Sequence, residues 1–134
     1  MSQFQVPVEE FTTPNPITCS VDTHIDEIQK LMKTNGVRHL PVTKGNAIVG
    51  ILSDRDVRVA LGLSAREKFL VTAKDIMIPE PFTVDSQDTL ESVAFLMSEK
   101  KIGSVLVMEG QEFTGIFTVT DALNALIEIS RGDA

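Results

Sequence analysis

Two short stretches carry the same chemical skeleton: "GILSDRDV" at residues 50–57 and "GIFTVTDA" at residues 115–122. In each, a glycine (Gly50, Gly115) is followed by a hydroxyl (Ser53, Thr118) and then a carboxylate (Asp56, Asp121), at intervals of three residues. The hydroxyl-to-acid spacing is a helix-start signature: the hydroxyl caps a backbone N–H and the acid favours the positive end of the helix dipole. The same geometry has a second use. A helix opening directly after a buried strand presents N–H groups and a hydroxyl to a phosphate, and a nearby carboxylate accepts hydrogen bonds from vicinal ribose hydroxyls. Neither use excludes the other.

The skeleton belongs to a longer repeat. At a separation of 65 residues the chain matches itself without gaps from Pro14 to Leu61. Identities include Pro14/Pro79, Thr18/Thr83, Met32/Met97, Val42/Val107 and Ala60/Ala125, with conservative pairs such as Ile28/Val93 and Val37/Ile102 between them. A repeat of roughly 50 residues is marginal alone, so the two copies are expected to bury a face against each other as one pseudo-symmetric domain.

Each copy reads as strand, helix, strand, strand, helix. "PITCSV" and "PFTVDS" are short extended pieces. "DTHIDEIQKLMKTNG" spaces Ile25, Ile28, Leu31 and Met32 along one helical face, with Asp22 or Thr23 as N-cap and Gly36 near the end. "VRHLPV" and "AIVGIL" flank the turn "TKGN", and "IGSVLVM" and "EFTGIFT" repeat the arrangement. A final helix starts at Ser53 or Thr118. Residues 62–73 show no counterpart and read as the connection, in which Ser64 and Glu67 have capping-box spacing. The expected boundaries are therefore 8–61 for the first repeat, 62–73 for the connection and 74–130 for the second repeat.

Composition narrows the function classes. Apolar content of 43% with 23% charged residues is ordinary for a soluble globular chain. Apolar runs such as "SVLVM" fall far short of the roughly 20 residues that span a bilayer, and the N-terminus lacks the pattern of a signal peptide. A single cysteine fits a reducing cytoplasm. A net charge of −7 and the absence of Trp and Tyr argue against nucleic acid. Cys19 aligns with Val84, which marks a buried apolar strand position rather than a reactive thiol. His24 aligns with Thr89 at a helix start and reads as solvent-facing, while His39 is either a cleft wall or a satisfied half-buried imidazole. Two histidines and one cysteine at these spacings make no zinc set. There is no Walker-type loop or nucleophile motif, so neither a catalytic residue nor a metal site is assigned.

In order and spacing, "PNPITCSVDTHIDEIQKLM", "GVRHLPV", "GILSDRDV", "PEPFTVDSQDTLESVAFLM" and "GIFTVTDA" together resemble a tandem cystathionine β-synthase (CBS) domain pair, or Bateman module, over about residues 8–130. The first half is similar to small stand-alone bacterial pairs of the acetoin-utilisation type. The resemblance implies an α+β fold of two β-α-β-β-α repeats packed through their sheets. It also implies two clefts that take AMP, ADP, ATP or S-adenosylmethionine as regulators, with no required cofactor. By the same resemblance, Asp56 and Asp121 hold ribose hydroxyls, Ser53 and Thr118 contact phosphate or ribose, and Thr18 and Thr83 edge the adenine. Val37, His39, Leu40 and Pro41 line one cleft, and Ile102, Ser104, Val105 and Leu106 the other. The chain departs from the common pattern at Thr12, which stands where the second copy has Met77, and at Cys19, where valine is usual.

The copies are unequal in charge. Arg38, His39 and Arg55 correspond to Gly103, Ser104 and Thr120, so the Asp56 cleft is expected to bind phosphate more strongly. The family's usual association implies a homodimer, for which the last helix offers two apolar faces: Ala122, Leu126 and Ile129 on one, Leu123 and Ile127 on the other. The expected function is a cytoplasmic regulatory module that senses an adenosyl ligand and signals to an unknown protein, without nucleic acid or membrane. Two alternatives stand beside it: a structural dimerisation or protein-interaction module that binds no nucleotide, and an enzyme acting on a nucleotide.

Overall fold

The computed structural model describes residues 3–132, with Ala65 described in its backbone only. Along the chain run β1 (Thr13–Pro14), β2 (Cys19–Ser20), α1 (Ile25–Asn35), β3 (His39–Lys44), β4 (Ala47–Ser53) and α2 (Asp54–Leu61). Then follow α3 (Ala65–Phe69), α4 (Ala73–Ile76), β5 (Ile78–Pro79), β6 (Thr83–Asp85), α5 (Leu90–Lys100), β7 (Ser104–Glu109), β8 (Glu112–Thr118) and α6 (Val119–Ser130). The architecture is mixed α+β with two four-stranded sheets. In space the chain divides into a first unit, Pro16–Pro81, and a second unit made of Met1–Asn15 with Phe82–Ala134.

In the first unit the sheet order is β2-β3-β4-β5, with β2 parallel to β3 and the other pairs antiparallel. The apolar stripe of α1 (Ile25, Ile28, Met32) packs with Leu40, Val42, Leu52, Val57 and Ala60 into a core that also takes Cys19 and Ala73. Gly36 closes α1 in the left-handed conformation at φ 62°, which a side chain would resist. The N-cap is His24, not Asp22 or Thr23. Thr23 instead accepts the Ser20 N–H on its hydroxyl at 3.0 Å, tightening the turn one step before the helix. His24 itself is exposed, with its ring 6.2 Å from that of Phe69. The Ser64–Glu67 capping box opens α3 as its spacing predicts.

In the second unit the order is β1-β8-β7-β6. Leu90, Val93 and Met97 of α5, Val105, Val107 and Phe117 of the sheet, and Ala125 and Ile129 of α6 form the core. Val8 joins it fully buried, with Phe4, Val6 and Phe11 packed alongside. The N-terminal segment is thus part of this unit's hydrophobic interior.

That packing extends the repeat upstream of Pro14, the point where the sequence match was drawn to begin. Leu90 N–H donates to the Val6 carbonyl and Val8 N–H to that of Asp88; 65 residues along, Ile25 N–H donates to Val71 and Ala73 N–H to Thr23. The isolated bridges Pro7–Thr89 and His24–Thr72 are equivalent too. The 3-10 turn Val8–Phe11 corresponds to α4 residue for residue. Residues 69–76, of which 69–73 read from sequence as connection without counterpart and 74–76 as the start of the second repeat, therefore repeat residues 4–11. Each such segment docks on the unit formed by the other copy's main body: residues 4–14 on the second unit, residues 69–79 on the first.

The docking explains why the motif begins with glycine. β1 runs beside β8 with Pro14 opposite Gly115, and β5 beside β4 with Pro79 opposite Gly50. A Cβ at Gly115 would collide with the Thr13 carbonyl and the Thr12 methyl; one at Gly50 would meet the Met77 thioether and, more loosely, the Ile78 carbonyl. Close backbone approach requires the missing side chain in both.

Candidate functional site

In the first unit β4 ends at Ser53, whose extended backbone makes it the N-cap of α2. Its hydroxyl accepts the Asp56 N–H at 3.2 Å and donates to Asp56 Oδ2 at 2.9 Å. Asp54 N–H donates to the Arg38 carbonyl at 2.8 Å. Two of the first three N–H groups of α2 are thus already bonded, and the helix start is less open to a phosphate than the spacing alone suggested. The Asp56 carboxylate is half-buried. Ser53 is its one hydrogen-bond donor among the described residues, and a carboxylate has about four acceptor positions. Arg38 and Arg55 are exposed and form no ion pair among the described residues.

The second unit repeats the cap with more bonds. Thr118 accepts the Asp121 N–H at 3.2 Å, and Asp121 Oδ2 accepts both Thr118 N–H (2.9 Å) and Thr118 Oγ1 (3.1 Å), completing a capping box. A third donor reaches Asp121 from the N-terminal segment: Thr13 Oγ1 lies 3.2 Å from Oδ1. Sequence reasoning missed Thr13. Carrying the 65-residue comparison one residue upstream of Pro14 would have set it against Ile78 and exposed the difference.

The remaining candidates fall into two groups by strand alternation. His39 lies opposite Ser53 and Pro41 opposite Ile51, as Ser104 lies opposite Thr118 and Leu106 opposite Ile116. These share the sheet face of the two caps, where His39 and Ser104 are half-buried while Pro41 and Leu106 are buried and offer a ligand no side-chain surface. Leu40 and Val105 point the other way into the helical cores, at 0% and 1% exposure, so they offer a ligand no side-chain surface. Val37 and Ile102 are half-buried against those cores, each with its N–H on a helix carbonyl (Met32 and Met97). Thr18 precedes β2 and Thr83 opens β6, and both are exposed. Cys19 is buried in β2, where desolvation and then the Glu27 charge push its thiol up to about 11. Among the described residues no group of three His, Cys, Asp or Glu side chains is arranged to hold a metal ion. No described helix is long and apolar enough to cross a membrane.

A family model described as "CBS domain" matches residues 8–63 and 73–128. The chain is 33% identical over 114 residues to an inosine-5'-monophosphate dehydrogenase of Korarchaeum cryptofilum; this covers 84% of the chain but only 23% of that protein. Two solved structures are alike over nearly their whole length. A Vibrio cholerae protein described as an acetoin utilization protein (AcuB) superposes with a TM-score of 0.82 at 27% identity, covering 94% of this chain and 93% of that one. CBSX2 in complex with AMP gives a TM-score of 0.79 at 26% identity, with coverage of 94% and 99%.

Proposed function

The chain belongs to the CBS domain family, and on that premise we propose that it is a regulatory module which binds adenosyl compounds at two sites, one centred on Asp56 and one on Asp121. AMP, ADP, ATP and S-adenosylmethionine are the candidate ligands, and the AMP complex of CBSX2 supports that class. The observation that carries the reading is the Asp56 carboxylate: half-buried at a helix start, with one hydrogen-bond donor among the described residues and so acceptor positions left for a vicinal diol, in a unit whose Arg38 and Arg55 form no ion pair among the described residues. Asp56 accepts the ribose hydroxyls and Arg38 meets the phosphate; the exposed Thr18 borders the base. The bound state acts on a protein partner in the cytoplasm, and the chain itself performs no catalysis.

Calorimetric titration with AMP tests this. Charge-assisted hydrogen bonds contribute about 1.5–3 kcal/mol, or roughly 10- to 150-fold in affinity. Asp56→Ala should abolish the tighter site and Arg38→Ala should weaken it, while Asp121→Ala leaves it in place. A tight site that survives Asp56→Ala defeats the assignment, and no heat with any adenosyl compound returns the protein to the class of pure interaction modules.

We also propose a homodimer formed through α6. Val119, Leu123, Leu126 and Ile127 are all exposed there, Leu123 at 55%. The face read from sequence as Ala122, Leu126 and Ile129 is divided, because Ile129 is buried in the unit's core and Leu126 is not.

A further inference from the structure

We propose that the Thr13 hydroxyl is a built-in competitor for ligand at Asp121, so that ribose binding at this carboxylate releases β1 and loosens the N-terminal segment. The inference rests on the reading of Asp121 as a ribose acceptor.

The argument is a count of acceptor positions. Asp121 receives Thr118 N–H and Thr118 Oγ1 on Oδ2 and Thr13 Oγ1 on Oδ1. Of about four positions on a carboxylate, three are filled, and a vicinal diol brings two donors. One protein donor must therefore leave. The Thr118 bonds close within three residues as part of a helix cap, and losing them unsettles α6. The Thr13 bond is the longest of the three to the carboxylate, comes from an exposed side chain 108 residues away, and belongs to a strand of two residues. Thr13 is the donor that yields. At Asp56 a single donor is present among the described residues, and Ile78, at the place equivalent to Thr13, has no hydroxyl. A diol enters there without displacing anything.

Release of Thr13 has somewhere to go. β1 is held by pairing at two positions, Thr13 with Ile116 and Pro14 with Gly115. Upstream, the backbone bonds of Val6 and Val8 to Leu90 and Asp88, and of Glu9 to Ser86, fasten the segment to its unit. Val8 is anchored in the core, so what opens locally at low free energy is the stretch beyond it, residues 9–14. A ligand that removes the Thr13 side-chain bond to Asp121 shifts the population of that open form. The same competition weakens the Asp121 site relative to the Asp56 site, so Thr13 adds to the inequality made by the first copy's basic residues and sets the response of the segment.

The test is hydrogen–deuterium exchange on the full chain, with and without millimolar AMP, together with AMP calorimetry in an Asp56→Ala background that isolates the Asp121 site. In the free protein, Thr13→Val keeps the β-branched shape for β1 and should speed exchange at the amides of Glu9 and Thr12. Adding AMP to the Asp56→Ala protein should raise exchange at the same amides, against the usual protective effect of a ligand. In that background Thr13→Val should tighten AMP about tenfold, whereas Thr13→Ser should behave as threonine does. AMP binding that depends on Asp121 yet leaves exchange over residues 4–12 and the Thr13→Val affinity unchanged overturns the inference and leaves the ribose reading standing. AMP binding unaffected by Asp121→Ala removes the ribose reading, and the inference with it.

Discussion

Ser53–Asp56 and Thr118–Asp121 occupy the same place in two units built on the same bonds, yet Asp56 has one protein donor among the described residues and Asp121 has three. The outer faces of the following helices diverge in a parallel way. α2 carries an exposed Asp54–Arg58 ion pair at 3.5 Å; the equivalent positions on α6 are Val119 and Leu123, both exposed. What the copies share is backbone: sheet register, the glycine crossing and the docking bonds of residues 4–11 and 69–76. What they do not share is side-chain chemistry around the caps and on the outer helix. The comparison teaches that the duplicated frame is fixed by geometric need, whereas positions the frame leaves open, such as Thr13 against Ile78 and Asp54 against Val119, are where the copies diverge.

The largest expected effect lies in exchanging the helix faces. Val119→Asp with Leu123→Arg copies the α2 ion pair onto α6, and light scattering should show the dimer proposed here falling to monomer. The reverse exchange on α2, Asp54→Val with Arg58→Leu, should leave the α6-mediated dimer intact. A dimer that persists in the first variant breaks the distinction between the two helices.

The glycine crossings should differ next. Gly115→Ala drives a methyl into the Thr13 carbonyl, which is backbone, so denaturant unfolding should show a loss of about 1–3 kcal/mol. Gly50→Ala meets chiefly the flexible end of Met77 and should cost less. Equal losses would mean that the two docked segments are held with the same rigidity.

The smallest effect separates β2 from β6, where Cys19 faces the role that Val84 fills in the other copy. The Cys19 thiol is raised to about 11 by burial and by Glu27, so the folded state holds its proton more tightly than the unfolded chain. Its contribution is complete below the ordinary thiol range and is lost as pH rises through that range toward 11. Between about pH 9 and 11 the wild-type melting temperature should therefore fall more steeply than that of Cys19→Val, with the two curves parallel at pH 7. Parallel curves throughout would show that the thiol does not titrate with folding.

Much of this was legible in residue order. The stripe Ile25, Ile28 and Met32, the left-handed Gly36, the hydroxyl caps at Ser53 and Thr118 and the Ser64–Glu67 box all depend on neighbours within a few positions, and local pattern reports local bonds. Leu40 and Val105, read as ligand walls, instead face the helical cores, because the face a strand residue presents depends on what covers the sheet.

By itself the sequence determined the duplication, the strand-helix-strand-strand-helix order within each copy, and the hydroxyl–carboxylate pair at the start of each last helix. The tertiary structure alone decided which segment completes which sheet. "TP" at Thr13–Pro14 is too short to show a period, and its partner strand lies about a hundred residues along the chain. Nothing local distinguishes docking on the near copy from docking on the far one. The Thr13–Asp121 bond, and with it the difference between the two carboxylates, exists only because the chain returns to close the far sheet.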